Sequence, residues 1–421
     1  MVNLIAEESG GDFMGNELGE QCFPKTDTKH LWAIQCLQDN CEEFRKLRQD
    51  SKIVDIITED IGVGKAFVSR VLKVSISFDH NTDIFICILK VTNSNINARS
   101  KAFPYAHLTV SLHNREVYFI NKLSDIKDLN VPLYYGSKEC IPLKQDGVIL
   151  MQYLGNSHGQ VEYFNSLTME QAQSVVDQIF LLQSHFLVSP NADLKPIVEA
   201  KDIAFIFNEF ETNFDLVKQY APEEMWKETE DEIYSLVSHA SEIVDYIMKE
   251  LPFEKGNQSV FVQGDVFSNT YLFKKCEHKN NNELSEEVTL FDFQVCCNGS
   301  IGNDLSNLFI CNVDPDLRNE LEEILPHYFE KLKDDVIAKG GLFDMTWQMF
   351  KQNYDINLIE KALLFCMFFG KELSYSLPPD GSSQTVNWNK KKNEIAVKTM
   401  CSLNDAVFVA RRLKPEWLIL K

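Results

Sequence analysis

Basic residues are in short supply in this sequence. Lysine and arginine total 41 against 62 acidic residues, a formal net charge of −21 at pH 7. An extended nucleic-acid or anionic-membrane surface draws on Lys and Arg, so neither partner is expected. Long apolar runs are missing as well, and no window approaches the ~20 apolar residues of a membrane helix. The first residues include Glu7, Glu8 and Asp12 rather than a basic-then-apolar leader, so no signal peptide is read there. The eleven cysteines contain no Cys-x-x-Cys and no Cys/His zinc spacing, Cys296-Cys297 being the one close pair. Reduced thiols in a cytoplasmic protein account for them most simply. The nine histidines show no ligand spacing, and there is no internal repeat. What is present in ordinary amount is apolar surface: 44% of 421 residues, enough for a large core shared by two or three lobes.

Patterning divides the chain into a β-rich part and a helical part. Residues 1–26, rich in Gly and Glu, are expected to be poorly ordered. The segment 27–154 reads as an N-terminal helix followed by a β-rich lobe. That helix should start at Asp27 or Thr28 and run to about Leu47, with Leu31, Ile34, Leu37, Cys41 and Phe44 on one side. Strands follow over Ala66–Val74 and Asp83–Lys90, joined by the Asp79-His80-Asn81 turn. A helix fits His113–Leu123, and Gly147–Leu154 returns to strand. The remainder, 155–421, is predicted as a helical lobe. Its helices are placed over Met169–Phe186, Glu223–Leu251, Pro315–Lys339 and Ile356–Leu377, with a terminal one from Asn387. Lys274–Glu287 reads as a charged hairpin loop and Leu377–Ser383 as an irregular surface loop.

Two short stretches carry most of the chemical information. Ser259-Val260-Phe261-Val262 leads into Gln263-Gly264-Asp265, and Val288-Thr289-Leu290-Phe291 leads into Asp292-Phe293-Gln294. Each sets an aspartate at the end of an apolar strand. Phosphoryl transfer needs one carboxylate to orient the attacking hydroxyl and another to hold Mg²⁺ on the phosphates, and kinases order them in this way along the chain. Upstream, Ile61-Gly62-Val63-Gly64-Lys65-Ala66-Phe67 offers a glycine turn whose N–H groups suit a phosphate, although a plain hairpin turn is the commoner reading of Gly-x-Gly taken alone. Lys90 ends an apolar strand, and Glu116 lies on the following helix where a carboxylate partner for such a lysine belongs. Each alone reads as a solvated charge; the order of glycine turn, lysine, glutamate and two aspartates points to a nucleotide-using kinase. Ala221-Pro222-Glu223 matches a protein-kinase triplet but precedes Asp265 rather than following Asp292, and the metal triplet is Asp-Phe-Gln. A protein substrate is therefore not expected.

The residues from Ile61 through Arg70, the Leu112-His113-Asn114-Arg115-Glu116 segment, both aspartate stretches and Ile301-Gly302-Asn303-Asp304-Leu305-Ser306 together resemble the ecdysteroid-kinase-like and choline-kinase-like small-molecule kinases. Their nematode branch, within the aminoglycoside-phosphotransferase superfamily, is the nearest in pattern, and the likeness extends over roughly residues 27–410. The resemblance implies an α+β, protein-kinase-like two-lobed fold with a small β-rich N-lobe, a larger helical C-lobe and a cleft between them. It implies ATP and Mg²⁺ as cofactors and the hydroxyl of a small organic molecule as acceptor. Carried over residue by residue, Asp265 would accept the hydroxyl proton and Asp292 would bind the metal. Gly62 and Gly64 would line the nucleotide turn, and Lys90, directed by Glu116, would hold the α and β phosphates. Met151, Gln152 and Tyr153 would form the adenine hinge, and Asp304 would brace the catalytic loop. The family pattern is broken at three places. Gln263 replaces a histidine, and Ala66 replaces a glycine. Thr270 stands where an asparagine usually helps to hold metal, with Asn269 one residue early, so Thr270 or Asn269 would complete the metal site. The alternative is a catalytically inactive pseudokinase that binds nucleotide or a protein partner, and these departures favour it.

Overall fold

The computed structural model describes residues 15–62, 69–95, 108–162, 164–189, 194–199, 206–276, 283–376 and 387–421. The chain divides into two compact units: Met1–Asn121 with Pro132–Asn156, and Lys122–Val131 with Ser157–Lys421.

In the first unit, α1 (Asn16–Glu20), α2 (His30–Asn40) and α3 (Glu42–Arg48) precede β1 (Ile53–Asp60), β2 (Arg70–Phe78) and β3 (Phe85–Thr92), followed by α4 (Thr109–Leu123), β4 (Tyr134–Lys138) and β5 (Gly147–Gln152). The strands form one antiparallel sheet in the order β1-β2-β3-β5-β4. Alternation in β2 puts Leu72, Val74, Ile76 and Phe78 on one buried face. They share a core with Ile34, Leu37 and Phe44 of α2 and α3, where the Phe44 ring meets Phe85 at 5.2 Å and Phe78 at 6.0 Å. The opposite side of β5 contributes Ile149 to a smaller cluster with Val117 and Ile120, which seats α4.

The single helix expected from residue 27 to 47 is two helices. The backbone turns extended at Cys41 (φ −120°, ψ 106°), whose Sγ accepts the Phe44 N–H at 3.4 Å and starts α3 afresh. Asp27 does not cap; its carboxylate takes the Asp146 N–H at 3.0 Å, while Asp146 accepts the Asp27 N–H at 3.2 Å. Residues 15–25, expected to be poorly ordered, carry α1 and bury Phe23. The β2 strand starts at Arg70 among the described residues and runs four residues beyond Val74; residues 63–68 lie outside the described part.

The second unit contains β6 (His158–Gly159), α5 (Met169–Val188), α6 (Phe210–Tyr220), α7 (Glu230–Ser238), α8 (Ala240–Lys249), β7 (Val260–Val262), β8 (Tyr271–Lys275), β9 (Leu284–Leu290), β10 (Cys297–Gly299), α9 (Asn303–Cys311), α10 (Pro315–Glu322), α11 (Leu325–Ala338), α12 (Trp347–Glu372) and α13 (Trp388–Leu413). Its centre is α12, buried around its whole circumference and packed by α13, α9 and α6. The expected start at Ile356 is nine residues late. Thr346 Oγ1 caps the true N-terminus by accepting the Met349 N–H at 3.3 Å. Asn387 caps α13 in the same way, accepting the Lys390 N–H at 3.2 Å.

Two other long predicted helices are interrupted. Glu223–Leu251 breaks at His239 (φ −100°, ψ 4°), whose ring is held by Glu242 at 3.0 Å and the Ile419 carbonyl at 2.8 Å. Pro315–Lys339 breaks ahead of Pro326, which has no N–H and sits in the first turn of α11. The expected loop Leu377–Ser383 lies outside the described residues; Lys274–Glu287, expected as a loop, is in strand at both ends, through Lys275 of β8 and from Leu284 of β9, and only its tip at 277–282 lies outside the described residues. All eleven cysteines carry free thiols. Among the described residues no helix is long and apolar enough to cross a membrane.

The approach of α9 to α12 depends on Gly302, since a Cβ there would sit 2.4 Å from Tyr354 Cα and 2.5 Å from its backbone nitrogen. Neither neighbour can rotate away. Gly302→Ala should therefore destabilise the protein by about 2–3 kcal/mol, read as a lower denaturant midpoint with unchanged slope.

Candidate active site

Strand pairing brings the two aspartate loops side by side. The loop 263–270 joins β7 to β8, and the loop 291–296 joins β9 to β10. Because β7 pairs with β10 (Val262 opposite Cys297) and β8 pairs with β9 (Tyr271 opposite Leu290), both ends of one loop are tied to both ends of the other. The β7 strand is fixed from behind by α5, where Phe261 stacks on Phe186 at 4.4 Å.

Asp304, at the start of α9, is 1% exposed and aims both carboxylate oxygens at the first loop. Oδ1 accepts the Gly264 N–H at 2.9 Å and Oδ2 the Gln263 N–H at 2.8 Å. Gly264 has φ +88°, and a Cβ would stand 3.1 Å from the Val295 carbonyl oxygen, so glycine is required there. Gln263 uses its amide at both ends. Its Oε1 accepts the Asp265 N–H at 2.7 Å, and its Nε2 donates to the Asp292 carbonyl at 3.0 Å. Further along, the Val266 carbonyl accepts from Asn307 and Asn312, each at 3.2 Å, and the Ser268 carbonyl from Gln160 at 2.7 Å.

Held in this frame, the Asp265 carboxylate has no hydrogen-bond partner among the described residues and remains partly exposed. Burial, with help from the Asp292 and Asp304 charges, pushes it up to about 6, against the pull of Lys361. Burial likewise raises Asp304 to about 6, opposed by its two N–H donors and Lys361. Asp292 is partly exposed and holds a left-handed backbone (φ +63°), unusual for a residue with a side chain and located where its carbonyl meets Gln263.

The residues expected to complete the metal site are not placed alike. The Thr270 side chain is buried inside the loop. Its Oγ1 donates to the Asp265 and Phe267 carbonyls at 2.6 and 2.9 Å and accepts the Phe267 N–H at 3.2 Å. A hydroxyl so engaged braces the loop. Asn269 is exposed. Among the described residues there is no group of three His, Cys, Asp or Glu side chains that could hold a metal ion.

The first unit holds the lysine and glutamate. Lys90 Nζ meets Glu116 Oε2 at 2.6 Å, with the two side chains 8% and 2% exposed. The lysine is delivered by β3 and the glutamate by α4, one turn after His113, whose Nε2 donates to the Lys138 carbonyl at 2.9 Å. Gly62 opens the β1–β2 connection and gives its N–H to Asp60 Oδ1 at 3.2 Å, a local turn, while Gly64 and Ala66 lie outside the described residues. Met151 and Gln152 lie within β5, where Gln152 donates its N–H to the Leu133 carbonyl at 2.8 Å. Of the three expected hinge residues, only Tyr153 lies beyond the strand.

Several contributors were not legible as site residues. Gln160, Asn307 and Asn312 brace the loop from distant parts of the sequence. Lys361 is 7% exposed on α12 beside Glu360 (3.1 Å) and acts on Asp265 and Asp304. A lysine in the middle of a helix buried on every side is the signal that could have flagged it.

A β-rich unit in which a β3 lysine pairs with a helix glutamate, and a helical unit bearing two strand-end aspartate loops, define an α+β, protein-kinase-like fold. The family described as "DUF1679: Uncharacterized oxidoreductase dhs-27" matches residues 51–410, and the chain belongs to it. The Caenorhabditis elegans protein named "Uncharacterized oxidoreductase dhs-27" is 23% identical over 338 residues, 76% of this chain and 40% of that protein. The chain thus spans about two fifths of the length of the curated relative it matches. Faint likenesses extend to solved structures. A Ralstonia eutropha JMP134 protein assigned as an aminoglycoside phosphotransferase has a TM-score of 0.43 at 11% identity, with 89% of this chain and 98% of that one covered. A microcompartment-associated aminopropanol kinase has a TM-score of 0.37 at 12% identity, with 87% and 95% covered.

Two outcomes follow from this geometry. Lys90→Met takes the ammonium away from a buried carboxylate and should destabilise the protein by about 3–5 kcal/mol, whereas Lys90→Met with Glu116→Leu should recover most of that loss in a denaturant titration. The raised carboxyls give a defined pH response. Their folded-state values lie above the unfolded one, so their stabilising contribution is complete below about pH 4 and is lost as pH rises through about 6. Asp265→Asn should therefore be more stable than the parent at pH 7.5, by about 1–2 kcal/mol after allowance for partial exposure, and the gap should close at pH 4.

Proposed function

We propose that this protein transfers the γ-phosphoryl group of ATP to a hydroxyl of a small organic molecule, in the manner of the ecdysteroid-kinase-like and choline-kinase-like enzymes. The observation that carries this is the Asp265 carboxylate. It is unpaired on a loop whose backbone is tied down at Gln263, Gly264, Asp265, Val266 and Ser268. A rigidly held carboxylate with no partner of its own is suited to receive a proton at one fixed position. In the proposed step the acceptor oxygen attacks the γ-phosphorus, the bond to the bridging oxygen breaks, ADP leaves with that electron pair, and the hydroxyl proton passes to Asp265.

Lys90, kept in place by Glu116, would contact the nucleotide phosphates. Tyr153, just past β5, is better placed than Met151 or Gln152 to offer backbone groups to adenine. Mg²⁺, when bound, would neutralise phosphate charge. Asp292 is the residue to hold it, with phosphate oxygens and water completing the shell as is usual for this ion. Thr270 is withdrawn from that role by its bonds inside the loop, and Asn269 remains the second candidate. The loss of the histidine at 263 is harmless on this account, because the Gln263 amide accepts at one end and donates at the other, as an imidazole would.

An inactive nucleotide-binding pseudokinase is favoured by the engagement of the Thr270 hydroxyl. The oxidoreductase in the relative's name has no parallel-sheet counterpart among the described residues. Every strand pairing among the described residues is antiparallel, whereas dinucleotide binding in doubly wound folds uses a mostly parallel sheet.

Calorimetry with a non-hydrolysable ATP analogue, with and without Mg²⁺, separates the first two. Tighter binding with Mg²⁺, lost in Asp292→Asn, is expected of the enzyme; binding indifferent to Mg²⁺ supports the pseudokinase. With hydroxylated acceptors supplied, Asp265→Asn should lower ADP release by about 10²–10⁴-fold while the analogue's affinity stays within about twofold. Equal loss of both would show Asp265 to be structural.

A further inference from the structure

The aspartate loops leave one feature of the second unit unexplained. Lys398 of α13 gives its Nζ to the Cys311 carbonyl at 3.1 Å and lies 5.4 Å from the centre of the Phe365 ring. Among the described residues no carboxylate comes within 4.0 Å of it. The acidic side chain with the largest influence on it is Asp314, which is already engaged by Ser166 Oγ, while Arg318 and Lys391 add charge of its own sign. Burial pushes this ammonium down to about 8. The Cys311 carbonyl is at the C-terminus of α9 and supplies partial negative charge, but no carboxylate completes the compensation.

Its surroundings lead back to Asp265. The Cys311 thiol is acted on by Lys398, by Lys361 and by Asp265. Two residues after Asp265, the Phe267 ring lies 5.8 Å from that of Phe369, which lies 4.3 Å from Phe365, beside Lys398. Phe267, Asp265 and Lys398 keep partial exposure, while Phe365 and Phe369 back them from within. A line of aromatic rings thus runs from the loop of the unpaired carboxylate to the unpaired ammonium.

We propose that the acceptor is a hydroxy acid: its hydroxyl is presented to Asp265, its ring or apolar body packs on Phe267, and its anionic group is held by Lys398. This rests on the phosphotransfer reading and names the acceptor class. An amine at the far end of the acceptor would set a second ammonium against Lys398 and is disfavoured there by like charge.

Three probes of one shape test it on the full chain: 4-(hydroxymethyl)benzoate, the neutral 4-(hydroxymethyl)benzamide and the cationic 4-(aminomethyl)benzyl alcohol. Calorimetry without nucleotide should show the benzoate binding at least tenfold more tightly than the other two. Lys398→Met should remove that preference and Lys398→Arg should keep it; if Lys398→Met does not fold, Lys398→Gln takes its place. ADP release with ATP and Mg²⁺ should follow the same order. Equal affinity for all three probes, tightest binding of the amine, or a preference that survives loss of the ammonium overturns the proposal. Since this binding is read without nucleotide, the anion site can fail while Mg²⁺-dependent nucleotide binding stands. It can also stand while the phosphotransfer reading fails.

Discussion

The second unit is organised around one buried carboxylate. Asp304 accepts two consecutive N–H groups, those of Gln263 and Gly264, at the point where the chain leaves β7. Two adjacent N–H groups can converge on one carboxylate only if the backbone bends between them, and the left-handed glycine at 264 provides the bend. The bend sends Asp265 out of the strand direction with its carboxylate unpaired, and it turns the Gln263 amide toward the other loop. Asp304 is itself placed by the first turn of α9, whose close approach to α12 is possible because residue 302 has no side chain. A glycine in one helix cap, a carboxylate two residues on and a glycine in the loop form a single mechanical chain ending at Asp265.

That arrangement explains how the departures at 263 and 270 can be tolerated together. A polar side chain at 263 must accept from the N–H of residue 265 and donate across to the carbonyl of 292, and an amide does both. The position at 270 closes the same loop from its far end. The Thr270 hydroxyl reaches back to the Asp265 carbonyl, and the residue's own carbonyl accepts the Phe291 N–H at 3.0 Å. A longer asparagine side chain could not occupy the same buried position unchanged. Threonine therefore closes the loop with its hydroxyl turned inward.

Strand-borne features were the most legible in the sequence, because an apolar run ending in a charged residue fixes both the element and the end at which the charge emerges. Val260–Val262 before Asp265 and the Val288–Leu290 end of β9 before Asp292 were recognisable on that basis, whereas Leu284–Glu287 had read as loop and Lys90 lies two residues inside the end of β3. Helix ends were less so. Periodicity continues across a break when the apolar phase is kept, as at Cys41 and His239, where the backbone leaves the helix although the pattern does not. The α12 helix was misplaced for the opposite reason: buried on all sides, it has no polar face whose phase could mark its beginning. The braces of the loop were illegible because an asparagine or glutamine acquires meaning only from the carbonyl it reaches. For Asn307, Asn312 and Gln160 that carbonyl lies 41, 46 and 108 residues away.

Charge balance inside the second unit has a further consequence for the chemistry. Asp265 and Asp304 are both lifted by burial, so an ionised pair at neutral pH needs positive charge nearby, and Lys361 supplies it from α12. Lys361 is kept charged by Glu360, its neighbour in sequence, and so draws the aspartates toward ionisation without a direct ion pair to either. A direct bond would stabilise the ionised aspartate further but would occupy its lone pairs. With the lysine close enough to act and too far to bond, burial still raises Asp265 to about 6 and its carboxylate keeps an open face. The same separation accounts for placing the cation on a rigid buried helix rather than on a mobile surface side chain, which would close on the carboxylate and quench it.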